Sequence, residues 1–158
     1  MSGEPDQLYV EARRALLDAL DALGPQAAAI VLVGAQAIYL HAGDAQLAVA
    51  VQTRDGDLAV DPRGLRDQPS LESAMEPGDR RSVDVRVAGP AALLVAKLHK
   101  VAERRGTPDR LVDKDALDIY RLLVAVRTPT LARAMRGLLA DRISAQVTRD
   151  GVTYLREC

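Results

Sequence analysis

Two aspartates two residues apart, Asp55 and Asp57 in the stretch Thr53-Arg54-Asp55-Gly56-Asp57, are the first candidates for chemistry. If both lie in a strand, their side chains share a face, because side-chain direction repeats every second residue. Unpaired carboxylates so placed repel each other, and a divalent cation relieves the repulsion. The competing reading is a hairpin tip. Asp-Gly is a favoured two-residue turn, and Asp55-Gly56 stands between two extended runs. Asp84 sits on the polar side of an alternating valine stretch. There it is either one more solvated sheet residue or a third oxygen ligand beside that pair.

Gly34 follows a run of β-branched and aliphatic residues and precedes a helical stretch. At such a junction a backbone can approach a phosphate, or simply make a tight turn that needs a glycine. Further on, Lys97, Lys100 and Arg104 recur at i, i+3 and i+7, with Leu94, Leu98 and Val101 as the apolar stripe of the same helix. The basic stripe is either a solvated face or a site for triphosphate or RNA backbone, with lysine as point charge and arginine as fork. His99 reads as packing or surface rather than as a general base. Asp115 and Asp118 share a face of the next helix, with Leu117, Tyr120 and Val124 as its apolar face. Asp113 and Asp115 suit the positive end of that helix, and Asp118 is within reach of Arg121.

The elements that must position these residues follow from periodicity and punctuation. Asp6 caps a first helix that stops at Gly24-Pro25, and a buried strand runs from Ala29 to Val33. A short helix covers 35–42, with Gly43 past its end. Residues 47–52 and 57–60 read as extended, and Pro62 and Pro69 frame a surface helix near 70–76. The valine alternation at 83, 85 and 87 marks a half-buried strand. Helices follow from Pro90 to about Arg105, from about Asp113 to Val126, from Pro129 onward, and from Ser144, where Gly151 is a weak point. Strands early and helices late make the class α+β, a small mixed β-sheet with packed helices. A chain of 158 residues suits a single domain, 1–158, with a motif-bearing core at about 29–125 and a C-terminal helical part at 128–158.

Composition excludes several functions. Lys and Arg (21) nearly balance Asp and Glu (22), so the total charge supplies no argument for nucleic acid. With aromatics at 3% and neither Trp nor Phe, base-stacking platforms are missing. One cysteine and two histidines exclude a zinc cluster, leaving a hard cation on carboxylates as the only metal chemistry. The lone Cys158 and the absence of a secretory pattern at the start predict a cytoplasmic protein. The longest apolar stretch is too short for a bilayer, so no membrane partner is expected.

Taken in order, VLVGAQAIYLHAG, TRDGDLAVD, the valine-rich strand with its acid, LLVAKLHKVAERRG and DKDALDIYRLL resemble the polymerase-β-like nucleotidyltransferase superfamily. The nearest pattern is the AbiEii/MenT-type branch, and the match spans about Val31 to Leu123. The resemblance implies a minimal nucleotidyltransferase fold and transfer of a nucleoside monophosphate from a nucleoside triphosphate to a hydroxyl, often of RNA, with Mg²⁺ as cofactor. Gly34 matches the phosphate-cradling glycine, Asp55 and Asp57 the metal-binding pair, and Lys97, beside Lys100, the lysine that holds the nucleotide. Asp115 matches the acid of the late helix. Several members of the branch are toxins of toxin–antitoxin pairs, which implies a cognate antitoxin as partner. The chain departs from the pattern at Ala35, which offers no hydroxyl to a phosphate, and at Gly56, where an apolar residue is usual. Three readings therefore compete: the transferase, a catalytically inactive nucleotidyltransferase-like binding module, and an unrelated α+β domain. The first requires Asp55, Asp57 and Lys97 to converge.

Overall fold

The computed structural model describes residues 7–42, 57–60, 68–76, 78–105 and 113–157. These gather into two compact units. One holds residues 7–40 and 57–88, the other 41–42 and 89–157. The division falls at Gly89 and so cuts the stretch that the motifs span.

In the first unit, helix α1 (Gln7–Leu23) buries Ala12, Leu16, Leu17 and Leu20, the i, i+4, i+5, i+8 stripe of an amphipathic helix. Gly24, at φ +51°, and Pro25 end it, and a 3₁₀ segment (Gly24–Ala29) leads into strand β1 (Ile30–Val33). Ile30, Val31 and Leu32 are buried consecutively, as expected of an inner strand covered on both faces. Helix α2 (Gly34–Ala42) follows without a loop. Strands β2 (Asp57–Val60), β3 (Gln68–Ser73) and β4 (Ser82–Val87) complete a four-stranded sheet ordered β2-β1-β4-β3. Strand β1 runs antiparallel to β2 and parallel to β4, while β3 and β4 pair antiparallel, so the sheet is mixed.

The surface helix expected near 70–76 is replaced by β3. Six residues of β3 pair in unbroken register with β4, from Gln68 opposite Val87 to Ser73 opposite Ser82. Pro69, taken from the sequence as a helix start, is tolerated because β3 is an edge strand, where one N–H faces no partner. The alternation in β4 holds: Val85 and Val87 are buried, while Ser82 and Asp84 are exposed. Asp6, Gly43 and the extended run expected at 47–52 lie outside the described residues.

The second unit is helical. Helix α3 (Pro90–Arg104) opens at Gly89-Pro90 as the sequence indicates, with proline in the first turn, where no N–H is needed. It packs against all three remaining helices: α4 (Asp113–Ala125), α5 (Thr128–Ala140) and α6 (Ala145–Arg156). Gly151 is a contact point rather than a weak one. It is buried in α6 where a Cβ would lie 3.3 Å from Val95 Cγ1, so its small size allows α6 to approach α3 closely. Among the described residues, no helix is long and apolar enough to cross a membrane.

Candidate functional site

In the sheet unit, the site residues meet at the end of β1. Pairing places Val33 opposite Asp57, so the first residue of β2 stands beside the β1–α2 junction. There Gly34 adopts φ +71°, a left-handed conformation that side chains disfavour by about 1–2 kcal/mol. A second constraint coincides with the first. The Asp57 carboxylate lies over Gly34, and a Cβ at residue 34 would overlap it, 2.8 Å from Asp57 Cγ. Only glycine satisfies both conditions. Asp57 is exposed and has no hydrogen bond or ion pair among the described residues, so its oxygens are free to take a ligand.

Asp55 lies outside the described residues. Asp84 does not join Asp57, which corrects the expectation that it serves as a ligand of the same ion. Arg86 is level with Val31, and Asp84 is two residues earlier, whereas Asp57 is level with Val33 on the far side of β1. Four residues along the strands is about 13 Å, and two strand spacings add about 10 Å across the sheet. No ion with oxygen ligands at about 2–2.6 Å takes both carboxylates. The β4 residues that reach the level of Asp57 are Val87 and Ala88, the latter donating its N–H to Leu32 O, and neither carries an oxygen ligand. Among the described residues, no group of three His, Cys, Asp or Glu side chains could hold a metal. Mg²⁺ needs fewer: one or two carboxylates, with waters and substrate phosphates completing its shell. Asp57 is one carboxylate of that kind.

In the helical unit, the expected solvated basic stripe is partly buried. Lys97 is 6% exposed, and its Nζ lies 2.8 Å from Asp115 Oδ1 and 2.8 Å from Asp118 Oδ2. Arg104 pairs with the other Asp115 oxygen, and Arg121 donates to Asp118 Oδ1 at 3.2 Å. Lys100, about half exposed, reaches within 3.9 Å of Asp115. Burial would lower the Lys97 pKa, but hydrogen bonding and charge from Asp115 and Asp118 outweigh it and hold the ammonium above its ordinary range. Burial likewise opposes ionisation of Asp115, and Lys97, assisted by the charges of Lys100 and Arg104, reverses that and holds the carboxyl below its ordinary range. The cluster holds more basic than acidic side chains, with the surplus at its rim on Lys100 and Arg104.

This pairing also turns α4 inside out relative to the sequence expectation. Asp115, Asp118, Arg121 and Leu122 are buried, whereas Tyr120 and Val124 are 52% and 54% exposed. The predicted apolar face is therefore the outer one. Sequence reading left Asp118 unassigned, although its i+3 spacing from Asp115 matched the basic spacing on α3 and was the available signal. His99 is a packing residue, as expected: its Nε2 donates to Val147 O at 2.8 Å, and its ring meets Tyr154 edge-on. A buried polar cluster in the sheet unit had no sequence signal. There Arg13 donates to Gln36 Oε1 and to Tyr9 OH, and Gln36 donates to Ala12 O.

No known protein family, curated protein or solved structure matches the chain.

Proposed function

We propose that the protein is a Mg²⁺-dependent nucleotidyltransferase that moves a nucleoside monophosphate from a nucleoside triphosphate to a hydroxyl, with RNA as the acceptor. One observation carries the reading. The unengaged carboxylate of Asp57 is seated on a positive-φ glycine at the start of α2. A glycine there brings backbone N–H groups of a helix N-terminus close to an anion, and the adjacent carboxylate offers oxygen to the cation that accompanies it. Asp55 and Asp57 hold the ion, which when bound lowers the pKa of an attacking hydroxyl and offsets charge on the leaving pyrophosphate. Lys97 and Asp115 pair with each other, which fixes α3 against α4, and Asp115 also holds Arg104. As in the branch it resembles, the protein would act as a toxin held by a cognate antitoxin.

The test is incubation with each labelled nucleoside triphosphate, Mg²⁺ and total RNA, comparing the natural chain with Asp57→Asn. Label should enter RNA with one or more nucleotides and fall by more than about a hundredfold in the variant. Equal transfer by both proteins, or none by either at high concentration, rejects the reading. One observation favours the alternative of an inactive binding module: the Lys97 ammonium is already engaged by two carboxylates. That module would bind nucleotide without transferring label.

A further inference from the structure

The near-neutral total charge conceals a division along the chain at Gly89. Residues 1–88 hold eight Lys or Arg and fourteen Asp or Glu, a net −6, whereas residues 89–158 hold thirteen and eight, a net +5. From residue 127 onward every cation is arginine: Arg127, Arg133, Arg136, Arg142, Arg149 and Arg156. All six are exposed, and none takes part in an ion pair among the described residues. The neighbouring acids are otherwise engaged or missing. Helix α5 contains none, and the single acid of α6, Asp150, accepts a hydrogen bond from Gln146 at 2.8 Å. Asp141 accepts from the N–H groups of Ile143 and Ser144, and Glu157 faces Arg105 at 3.5 Å.

Arg149 and Arg156, seven residues apart, stand on one face of α6, about 10.5 Å apart along its axis, and Arg142 lies in the turn that precedes the helix. Gln146 and Thr153, both exposed, supply amide and hydroxyl groups to that face, while buried Thr148 and Gly151 mark the opposite side. On α5, Arg133 and Arg136 form an exposed i, i+3 pair. Gln146 accepts from Arg149 at 3.2 Å, and the Thr153 hydroxyl donates to Arg149 O at 3.1 Å. Guanidinium groups with no carboxylate partner match phosphate oxygens, which take the planar fork in bidentate fashion. A protein partner would need a central apolar or aromatic anchor, and Val147 and Leu155 lie more than 100° round the helix from the arginine line.

We propose that the arginine faces of α5 and α6 bind the phosphodiester backbone of single-stranded RNA. The choice of RNA rests on the acceptor proposed above; the electrostatic argument does not. The one aromatic residue of α5 and α6, Tyr154, packs edge-on against His99, so binding is to the backbone and indifferent to sequence. The test is fluorescence anisotropy of the full chain with a labelled single-stranded RNA oligonucleotide, without nucleotide or Mg²⁺, across a salt series. The variant R142A/R149A/R156A should bind at least about tenfold more weakly at low salt, and its log–log salt slope should flatten by about 2, since each single-strand phosphate contact contributes about 0.7. The α5 variant R133A/R136A provides an independent reading should the first fail to fold, and Arg80→Ala, an exposed arginine of the acidic unit, should bind like the natural chain. Equal losses in all three variants, tighter binding to DNA of the same sequence, or displacement by polyglutamate as effective as by unlabelled RNA would each overturn the proposal. The two readings separate in Asp57→Asn, which should keep RNA binding while losing transfer. Binding lost in R142A/R149A/R156A with transfer to RNA intact would overturn the assignment of this face to the acceptor.

Discussion

The two units bury a helix in opposite ways. In the sheet unit, α1 turns its leucines inward together with Arg13, which donates to the neutral oxygens of Gln36 and Tyr9, and keeps its carboxylates outside, where Arg81 reaches Asp18 at 2.6 Å and Asp21 at 3.3 Å, both more than half exposed. In the helical unit, α4 turns Asp115, Asp118 and Arg121 inward and leaves Tyr120, Leu123 and Val124 outside. The same ion-pair chemistry therefore carries different weight in each place. Exposed pairs contribute about 0–1 kcal/mol, because water already solvates both partners. Removing one member of a buried pair strands the other without water and costs about 3–5 kcal/mol. An ion pair gains importance from where it sits, and only in the helical unit does pairing orient a helix.

The largest test of this contrast is Asp118→Ala, expected to lose about 3–5 kcal/mol in urea unfolding, against a much smaller loss for Arg81→Ala, whose partners are solvated. Similar losses in the two variants would erase the distinction. Acidity and alkalinity probe the same cluster without mutation. The Asp115 carboxyl is held below its ordinary 3.8, so its contribution is present above that value and disappears as pH falls through the lowered pKa. Lys97 is held above its ordinary 10.5, so its contribution is complete below that value and disappears as pH rises through the raised pKa. Stability attributable to the pair should thus stay level between these limits, and Lys97→Met should remove both declines.

A smaller effect is expected at the β1–α2 junction of the sheet unit. Gly34→Ala and Gly24→Ala both place a side chain at positive φ, a cost of about 1–2 kcal/mol. Nothing lies within 4 Å of a Cβ at Gly24, whereas at Gly34 it overlaps Asp57, so the Gly34 variant should be the less stable and should also displace the carboxylate. Equal melting temperatures would show that Asp57 yields freely. The smallest change is on the outer face of α4, where Leu123→Gln and Val124→Thr should each shift stability by less than about 0.5 kcal/mol. A larger loss would mean that this face is buried in solution.

Much of the local structure was legible. Gly24-Pro25, Gly89-Pro90 and the valines of β4 act within a few residues, so α1, α3 and β4 could be read from neighbours in the chain. The strand β3 could not, because Pro69 suits either a helix start or a sheet edge, and pairing with β4 decides between them. The candidate site divides along the same line. Gly34 and Asp57 were legible as types, and the register of β1 with β2 brought them together. That same register separated Asp84 from Asp57, since the direction in which β4 runs beside β1 leaves no trace in the spacing of its residues.

By itself the sequence determined where α1, α3 and β4 lie, the α+β class, and the supply of carboxylates and cations from which a site can be made. Only the tertiary structure decided which face of α4 is buried. A helix bearing both an apolar and a charged stripe has two candidates for its inner side, and the neighbour chooses: α3 presents Lys97 and Arg104, so the aspartates turn inward and the apolar residues are left to solvent.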